Sequence, residues 1–225
     1  EKDYYKKLKY DVIYVGHPLL DVLKKKIKEN SNREKLIALL PGSRDQEISK
    51  ILPLMLSVTK FFKNYQFTIC AAPSKNKSFY EKFIGSSDYE NVNIVEDQTY
   101  NILERSSAAL VTSGTATLEA ALIKTPQIVC YKSSWISILI GKFLLRNLKF
   151  ISLVNLILNK GAVKELIQYD LNTKNILEEL EVILSKDGRD KVIGYYNELE
   201  NLLNKKGASR ETAKKIINYH LESNS

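Results

Sequence analysis

A chain of 225 residues, 44% hydrophobic and 27% charged, has the balance of a globular protein and the length for one large domain or two small ones. Its 34 basic and 26 acidic residues leave a net charge of +8, which favours an anionic partner: a phosphorylated ligand, an acidic membrane or a nucleic acid. The basic residues are scattered among Glu and Asp without a long Lys/Arg block, which sets nucleic acid aside, and the absence of Cys-x-x-Cys or Cys/His clusters sets a zinc site aside.

Residues 1–10 are polar, aromatic and Lys-rich and read as the tail of an element that begins earlier. Asp11-Val12-Ile13-Tyr14-Val15 predicts a strand, Gly16-His17-Pro18 a turn, and Leu19 to Lys28 a helix with Leu and Ile inward and Lys outward. His17, held extended by Pro18, is either a structural turn residue or a cleft residue at a domain junction.

Leu36 to Leu40 predicts a buried strand, followed by Pro41-Gly42-Ser43-Arg44 and a helix from about Asp45 to Phe62. Arg44 carries a planar fork of donors suited to a pyrophosphate; the competing reading pairs it with Asp45 or Glu47 in a solvated ion pair of little worth. The turn has neither the Lys-Ser/Thr of a Walker loop nor G-x-G-x-x-G, so ATP hydrolysis and NAD binding are unsupported. Gln66 to Ala72 and Val92 to Val95 predict two more strands, with short helices at Asn76 to Ile84 and Thr99 to Arg105. Cys70 and Cys130 each fall in an apolar run and are expected as buried, reduced thiols.

Ala108 to Leu122 is the stretch on which the chain turns: an apolar strand, the small-residue turn Ser113-Gly114-Thr115, and an Ala/Leu-rich helix. The first N–H groups of a helix have no partner within it, and the helix dipole adds positive charge at that end, so a phosphate fits there. Gly114 admits a close approach of the backbone, and the Ser113 and Thr115 hydroxyls can donate to phosphate oxygens; the competing reading is an ordinary Ser/Thr cap. Glu119 lies four residues past Thr115 on the same side of the helix, whereas a capping box needs the acid three past the cap. A carboxylate so placed can accept hydrogen bonds from a ribose diol.

Pro126 to Tyr131 predicts a further strand. Strands alternate with helices from Asp11 to Tyr131, which implies a parallel sheet covered on both faces, with ligands at the carboxyl ends of its strands. Trp135 to Phe150 is largely apolar, with Lys142, Arg146 and Lys149 in one helical stripe; it is either an interfacial membrane helix or a helix packed on the sheet with one wet edge. Asn155, a polar residue in the apolar run Ile151 to Ile157, is either a buried turn residue or a ligand contact. A helix is expected from about Ala162 to Gln168, with Glu165 and Gln168 on one face, and helices throughout Thr173 to Leu221 with breaks at Gly188 and Gly207. No secretory signal and no bilayer-spanning apolar run are seen, so a cytoplasmic protein is expected.

The ordered motifs are Val15-Gly16-His17-Pro18, Leu39-Leu40-Pro41-Gly42-Ser43-Arg44 with Glu47, Ser113-Gly114-Thr115-Ala116-Thr117-Leu118-Glu119, Tyr131-Lys132, Ser152-Leu153-Val154-Asn155-Leu156 and Lys164-Glu165-Leu166. Together they resemble lipid-A-disaccharide synthase, a family of bacterial inverting glycosyltransferases of the GT-B type, from Tyr14 to about Gln168 and more weakly beyond. Val154 departs from the Pro that related sequences often carry there.

The resemblance implies an α/β fold: a Rossmann-like parallel sheet with helices on both faces, followed by C-terminal helices. Residues 1–155 would form the UDP-sugar-binding domain. Residues 156–225 would form a helical segment packing on, or crossing to, an N-terminal domain outside this sequence or a second subunit of a homodimer. The implied reaction joins UDP-2,3-diacylglucosamine to 2,3-diacylglucosamine 1-phosphate (lipid X), giving the β-1,6-linked lipid A disaccharide and UDP. It needs neither metal nor cofactor, and the general base is expected in the N-terminal half. By position, Gly42, Ser43 and Arg44 would face the UDP phosphates. Ser113, Gly114 and Thr115 would cradle the pyrophosphate, and Glu119 would meet the ribose. Asn155 matches a polar site residue of the family, and His17 would sit near the domain junction. Trp135, Lys142, Phe143 and Arg146 would contact the cytoplasmic face of the inner membrane, where a peripheral enzyme would meet its acylated substrates. The alternatives are another GT-B enzyme that uses UDP-N-acetylglucosamine, such as the peptidoglycan glycosyltransferase or an epimerase, or a nucleotide-binding or membrane-recruitment module without activity.

Overall fold

The computed structural model describes residues 2–26, 33–85, 89–132, 149–203 and 207–223. They form two compact units, Glu1–Lys26 with Glu200–Ser225, and Ile27–Leu199.

The smaller unit holds helices α1 (Lys2–Lys7) and α2 (Pro18–Lys26) and, from the other end of the chain, the last helix, Ala208–Ser223. Asp21, in the first turn of α2, accepts from the N–H groups of Gly207 (2.9 Å) and Ser209 (3.2 Å). It thus places a carboxylate at a helix N-terminus, where the dipole favours negative charge. The strand expected at Asp11 to Val15 does not form: these residues are irregular, and Ile13 is 64% exposed. Among the described residues no strand pairs with them, and a lone strand leaves its backbone groups without ladder partners.

The larger unit is built on six parallel strands, β1 (Glu34–Leu40), β2 (Gln66–Cys70), β3 (Val92–Val95), β4 (Ser106–Thr112), β5 (Gln127–Tyr131) and β6 (Lys164–Ile167), in the order β3-β2-β1-β4-β5-β6. The central strands are continuous apolar runs because both faces are covered. Ile37, Ala38 and Leu39 of β1 and Ala108 to Val111 of β4 are all fully buried, and they pair in register Ile37–Ala108, Ala38–Ala109, Leu39–Leu110.

The crossovers are α3 (Asp45–Leu56), α4 (Lys77–Ile84), α5 (Thr99–Arg105), α6 (Thr115–Leu122) and α7 (Leu153–Leu158); α8 (Thr173–Leu184) and α9 (Lys186–Leu203) follow. Helix α3 buries Ile48, Ile51, Leu52, Met55 and Leu56, one stripe at helical spacing. It stops short of the expected Phe62 because the hydroxyls of Ser57 and Thr59 bond back to the carbonyls of Leu54 and Leu56, and one 3-10 turn (Thr59–Phe61) follows. Asn76 caps α4 by accepting from Phe79 N–H at 3.2 Å.

Two further expectations fail. The helix expected at Ala162 to Gln168 is strand β6, which pairs with β5 in register Val129–Glu165, Cys130–Leu166 and Tyr131–Ile167. Four residues are too few for periodicity to separate strand from helix, and the open edge of β5 decides the outcome. Gly188 is not a break but the third residue of α9; the corner falls at Ser185, whose backbone is extended. A Cβ on Gly188 would collide with the carbonyl oxygen of Val182, so the glycine is there to let α9 start against the end of α8.

The chain runs β1, β2, β3 toward one edge, then returns to place β4 on the other side of β1. The switch point therefore lies between β1 and β4, and right-handed crossovers send the helices after these two strands to opposite faces. The crevice at the carboxyl ends of β1 and β4 is where such a sheet holds a ligand.

Candidate functional site

A cleft of about 310 Å³ occupies that crevice. It is lined by Gly42, Ser43 and Glu47 after β1, by Cys70 and Ala71-Ala72-Pro73 after β2, by Thr99 of α5, and by Thr112 to Ala116 with Glu119 after β4. Six of the expected site residues, Gly42, Ser43, Ser113, Gly114, Thr115 and Glu119, thus meet in one place.

Both turns need glycine, for different reasons. Gly114 has φ +136° and open space where a Cβ would stand, so only its backbone conformation excludes a side chain. Gly42 has φ +106°, and a Cβ there would come within 3.0 Å of Glu47 Oε2 and 3.2 Å of Thr112 Cγ2.

The ordinary-cap reading of the second turn fails. The N-cap of α6 is Gly114 itself, with no side-chain cap; Thr117 returns its N–H (3.2 Å) and its hydroxyl (2.8 Å) to the Gly114 carbonyl. The Ser113 and Thr115 hydroxyls are not consumed as caps, and among the described residues the N–H groups of Thr115 and Ala116 have no acceptor. Helix α3 is likewise without a side-chain cap, and the N–H groups of Asp45 and Gln46 are in the same position. Two helix N-termini with unspent donors therefore border one cleft, an arrangement that favours an anion.

Arg44 is not among the lining residues. It is the N-cap of α3, its side chain is 82% exposed, and Nη1 donates to Glu47 Oε1 at 3.1 Å. The partner it has is the one the competing sequence reading gave it, and Glu47 rather than Arg44 lines the cleft.

Glu119 is half-buried one turn into α6, and burial pushes its carboxyl above the usual glutamate range; the Tyr100 hydroxyl, donating to Oε1 at 3.2 Å, pulls it partly back. Cys70 is a buried free thiol whose pKa burial raises to about 12, so at neutral pH it lines the cleft as an apolar surface. Cys130 is also buried and free. The Ala71-Ala72-Pro73 segment, Thr99 and Thr112 escaped the sequence reading. Small residues directly after a strand were the available signal for the first; nothing local marks the other two.

Asn155 does not line this cleft. Asn155 is 1% exposed and fully engaged: Oδ1 accepts from Ala162 N–H (2.8 Å) and Val163 N–H (2.9 Å), and Nδ2 donates to the Val163 carbonyl (2.9 Å) and to Glu165 Oε1 (2.8 Å). Glu165 also accepts from Ile151 N–H, Ser152 N–H and the Ser152 hydroxyl. Its side chain serves this node, not the helix face the sequence predicted. His17, in the smaller unit, accepts from Leu19 N–H through Nδ1 at 3.3 Å and so caps α2. The expected membrane contacts Trp135, Lys142, Phe143 and Arg146 lie outside the described residues. Among the described residues no helix is long and apolar enough to cross a membrane, and no cluster of three or more His, Cys, Asp or Glu could hold a metal.

A six-stranded parallel sheet of this order, with glycine turns at the two strand ends of the switch point, defines a Rossmann-like α/β domain of the GT-B class. Within that class the family model described as Lipid-A-disaccharide synthetase matches residues 1–218, and the chain belongs to that family. It is 36% identical over 223 residues to the lipid-A-disaccharide synthase of Syntrophus aciditrophicus (strain SB), a match covering 92% of this chain and 56% of that protein. The chain thus spans a little over half the length of the curated relatives it matches.

Solved structures show the same fold at low identity. The UDP-GlcNAc 2-epimerase from Neisseria meningitidis, bound to UDP-GlcNAc, superposes with TM-score 0.60 at 18% identity, covering 96% of this chain and 59% of that one. The S. aureus MnaA–UDP co-structure gives TM-score 0.64 at 15% identity, covering 97% and 57%.

Proposed function

We propose that this chain is the UDP-binding half of a glycosyltransferase that joins UDP-2,3-diacylglucosamine to 2,3-diacylglucosamine 1-phosphate, forming the β-1,6 lipid A disaccharide and releasing UDP. Family membership supports the reaction. The observation that carries the site is the pair of uncapped helix ends, α3 and α6, bordering one cleft at the switch point of the sheet. In this reading Gly42 and Ser43, with Ser113, Gly114 and Thr115, hold the diphosphate, and Glu119 accepts from the ribose. Arg44 leaves Glu47 for a phosphate oxygen once the ligand is bound.

Inversion requires the acceptor hydroxyl to attack the anomeric carbon from the face opposite UDP, while a base from the N-terminal half of the longer relatives takes the proton. Negative charge then grows on the leaving diphosphate. Donors fixed before the reaction, the helix N-termini, stabilise that charge without reorganising, and Arg44 adds its charge once it has moved onto the phosphate. His17 belongs to the same reading as a residue near the junction with the other half. The segment carrying Trp135, Lys142, Phe143 and Arg146 would hold the protein at the cytoplasmic face of the inner membrane, where both acylated substrates reside. The C-terminal helices would pack on or cross to the other half or a second copy.

Calorimetric titration of the chain with UDP tests the site. The expected result is one saturable site, weakened about tenfold or more by Glu119→Ala, the loss of a charge-assisted hydrogen bond. No binding, or binding untouched by Glu119→Ala together with Ser113→Ala, would overturn the assignment. The reaction itself is tested by supplying the N-terminal half and following conversion of labelled lipid X, with UDP-N-acetylglucosamine as the unacylated control donor.

A further inference from the structure

We infer that Tyr100 is a positioning residue of the cleft: its hydroxyl holds one oxygen of the Glu119 carboxylate and thereby presents the other to a ribose diol. The inference rests on the reading of the cleft as a nucleoside diphosphate site and extends it to a residue outside the motifs that identify the family.

The geometry is specific. Tyr100 is the second residue of α5, directly after Thr99, which lines the cleft. Its hydroxyl donates to Glu119 Oε1 at 3.2 Å, across 19 residues of sequence, from the helix that leads into β4 to the helix that leaves it. Both side chains are half-buried. Among the described residues no donor reaches Glu119 Oε2, and Glu119 lines the cleft. Of its neighbours on the same face of α6, Ala116 and Leu122 are apolar, and among the described residues the Thr115 hydroxyl makes no bond to Glu119.

A glutamate side chain has three rotatable bonds, and without an anchor the carboxylate would have to be ordered by the ligand itself, at the ligand's expense in affinity. An ionised carboxylate offers about four acceptor positions on two oxygens. Tyr100 uses one, which leaves enough for both hydroxyls of a cis-diol. A phenol also suits the place chemically, because it donates to the carboxylate without adding a charge that would compete with the diphosphate. A phenylalanine at position 100 would fill the same space and do none of this.

The experiment titrates UDP and 2′-deoxy-UDP into the wild-type chain and into Tyr100→Phe, with Glu119→Ala as reference. Expected is a loss of about fivefold in UDP affinity for Tyr100→Phe, the size of one ordinary hydrogen bond's net worth, with 2′-deoxy-UDP affinity changed less than twofold. The deoxy ligand controls for folding, since a damaged cleft would lose both nucleotides alike. An equal loss for both, or no loss for either, overturns the role of Tyr100 while the cleft assignment stands on wild-type UDP binding and its sensitivity to Glu119→Ala. If the wild-type chain binds no UDP, the cleft assignment falls and the role of Tyr100 falls with it.

Discussion

The Asn155 carboxamide and the Glu165 carboxylate form one closed node: Asn155 Nδ2 donates to Glu165 Oε1 at 2.8 Å, and the same oxygen accepts from the N–H (2.9 Å) and hydroxyl (2.7 Å) of Ser152. The node ties the start of α7 to edge strand β6 and fixes the turn through Ala162 and Val163. Asn155→Ala leaves two buried N–H groups and a buried carbonyl without partners and is expected to cost about 3 kcal/mol of stability. Asn155→Asp keeps the acceptor but sets a second carboxylate against the first. Glu165→Gln should therefore cost less stability in the Asn155→Asp background than in the wild type. Urea melts of the single and double variants check this; equal costs in both backgrounds would mean that the two groups do not face each other.

Gly42 and Thr112 set a second test. Gly42→Ala meets both a left-handed backbone and a contact of 3.2 Å with the Thr112 methyl, whereas Gly114→Ala meets only the backbone constraint. Each should lose about 1–3 kcal/mol from backbone strain, with Gly42→Ala the worse. Thr112→Ser removes the methyl group and should recover part of the Gly42→Ala loss, and none of the Gly114→Ala loss. The readout is the urea midpoint of the single and double variants, and equal recovery in both would refute the contact.

Arg33 is a staple at the amino-terminal ends of the central strands, opposite the cleft. Its guanidinium donates to the carbonyls of Leu103 (2.6 Å), Ser106 (3.2 Å) and Ile123 (2.8 Å) and to the Thr125 hydroxyl (3.2 Å), joining the residue before β1 to the segments that flank β4. Burial lowers its pKa, partly offset by the nearby Glu104 carboxylate. Arg33→Lys keeps the charge but not the fork, so it should lose about 2–3 kcal/mol. UDP affinity should be unaltered, because the cleft lies at the other ends of the strands. Parallel melting and UDP titration separate the two effects; a fall in affinity of the folded variant would contradict the placement.

The sheet and its switch-point cleft were legible in the sequence because both rest on local signals. The buried runs around Ala38 and Ala109 are short, apolar and bounded by turns, and Gly42 and Gly114 stand where the backbone needs them. What escaped depends on partners remote in sequence. Strand β6 exists because β5 offers an open edge, and Asp11 to Val15 stays irregular for want of one; nothing in either pentapeptide or tetrapeptide tells the two cases apart. Asn155 reads alike as a ligand contact and as a buried anchor until Glu165, ten residues away, is seen to meet it. Arg44 reads as a phosphate fork, and the same spacing that offers it to a ligand offers it to Glu47. Tyr100 carried no signal, since its meaning lies entirely in the nearness of Glu119.

The last test concerns the cost of Glu119. Its carboxyl is held above the ordinary glutamate value, chiefly by burial, so between the unfolded value and the raised folded one the native chain keeps a proton that the unfolded chain has released. Across that window stability falls as pH rises, and above it the deficit persists, because the ionised group is better solvated in the unfolded chain. Below the unfolded value both states are protonated and the effect vanishes. Glu119→Gln removes the ionisation and keeps an acceptor for the Tyr100 hydroxyl. The variant should therefore melt above the wild type at pH 7.5 and together with it near pH 4, while binding UDP about fivefold more weakly through loss of the charge-assisted contact. A variant less stable than wild type at pH 7.5 would show that the half-buried carboxylate is stabilised where it stands. A gain in stability with undiminished UDP affinity would remove Glu119 from the binding site altogether.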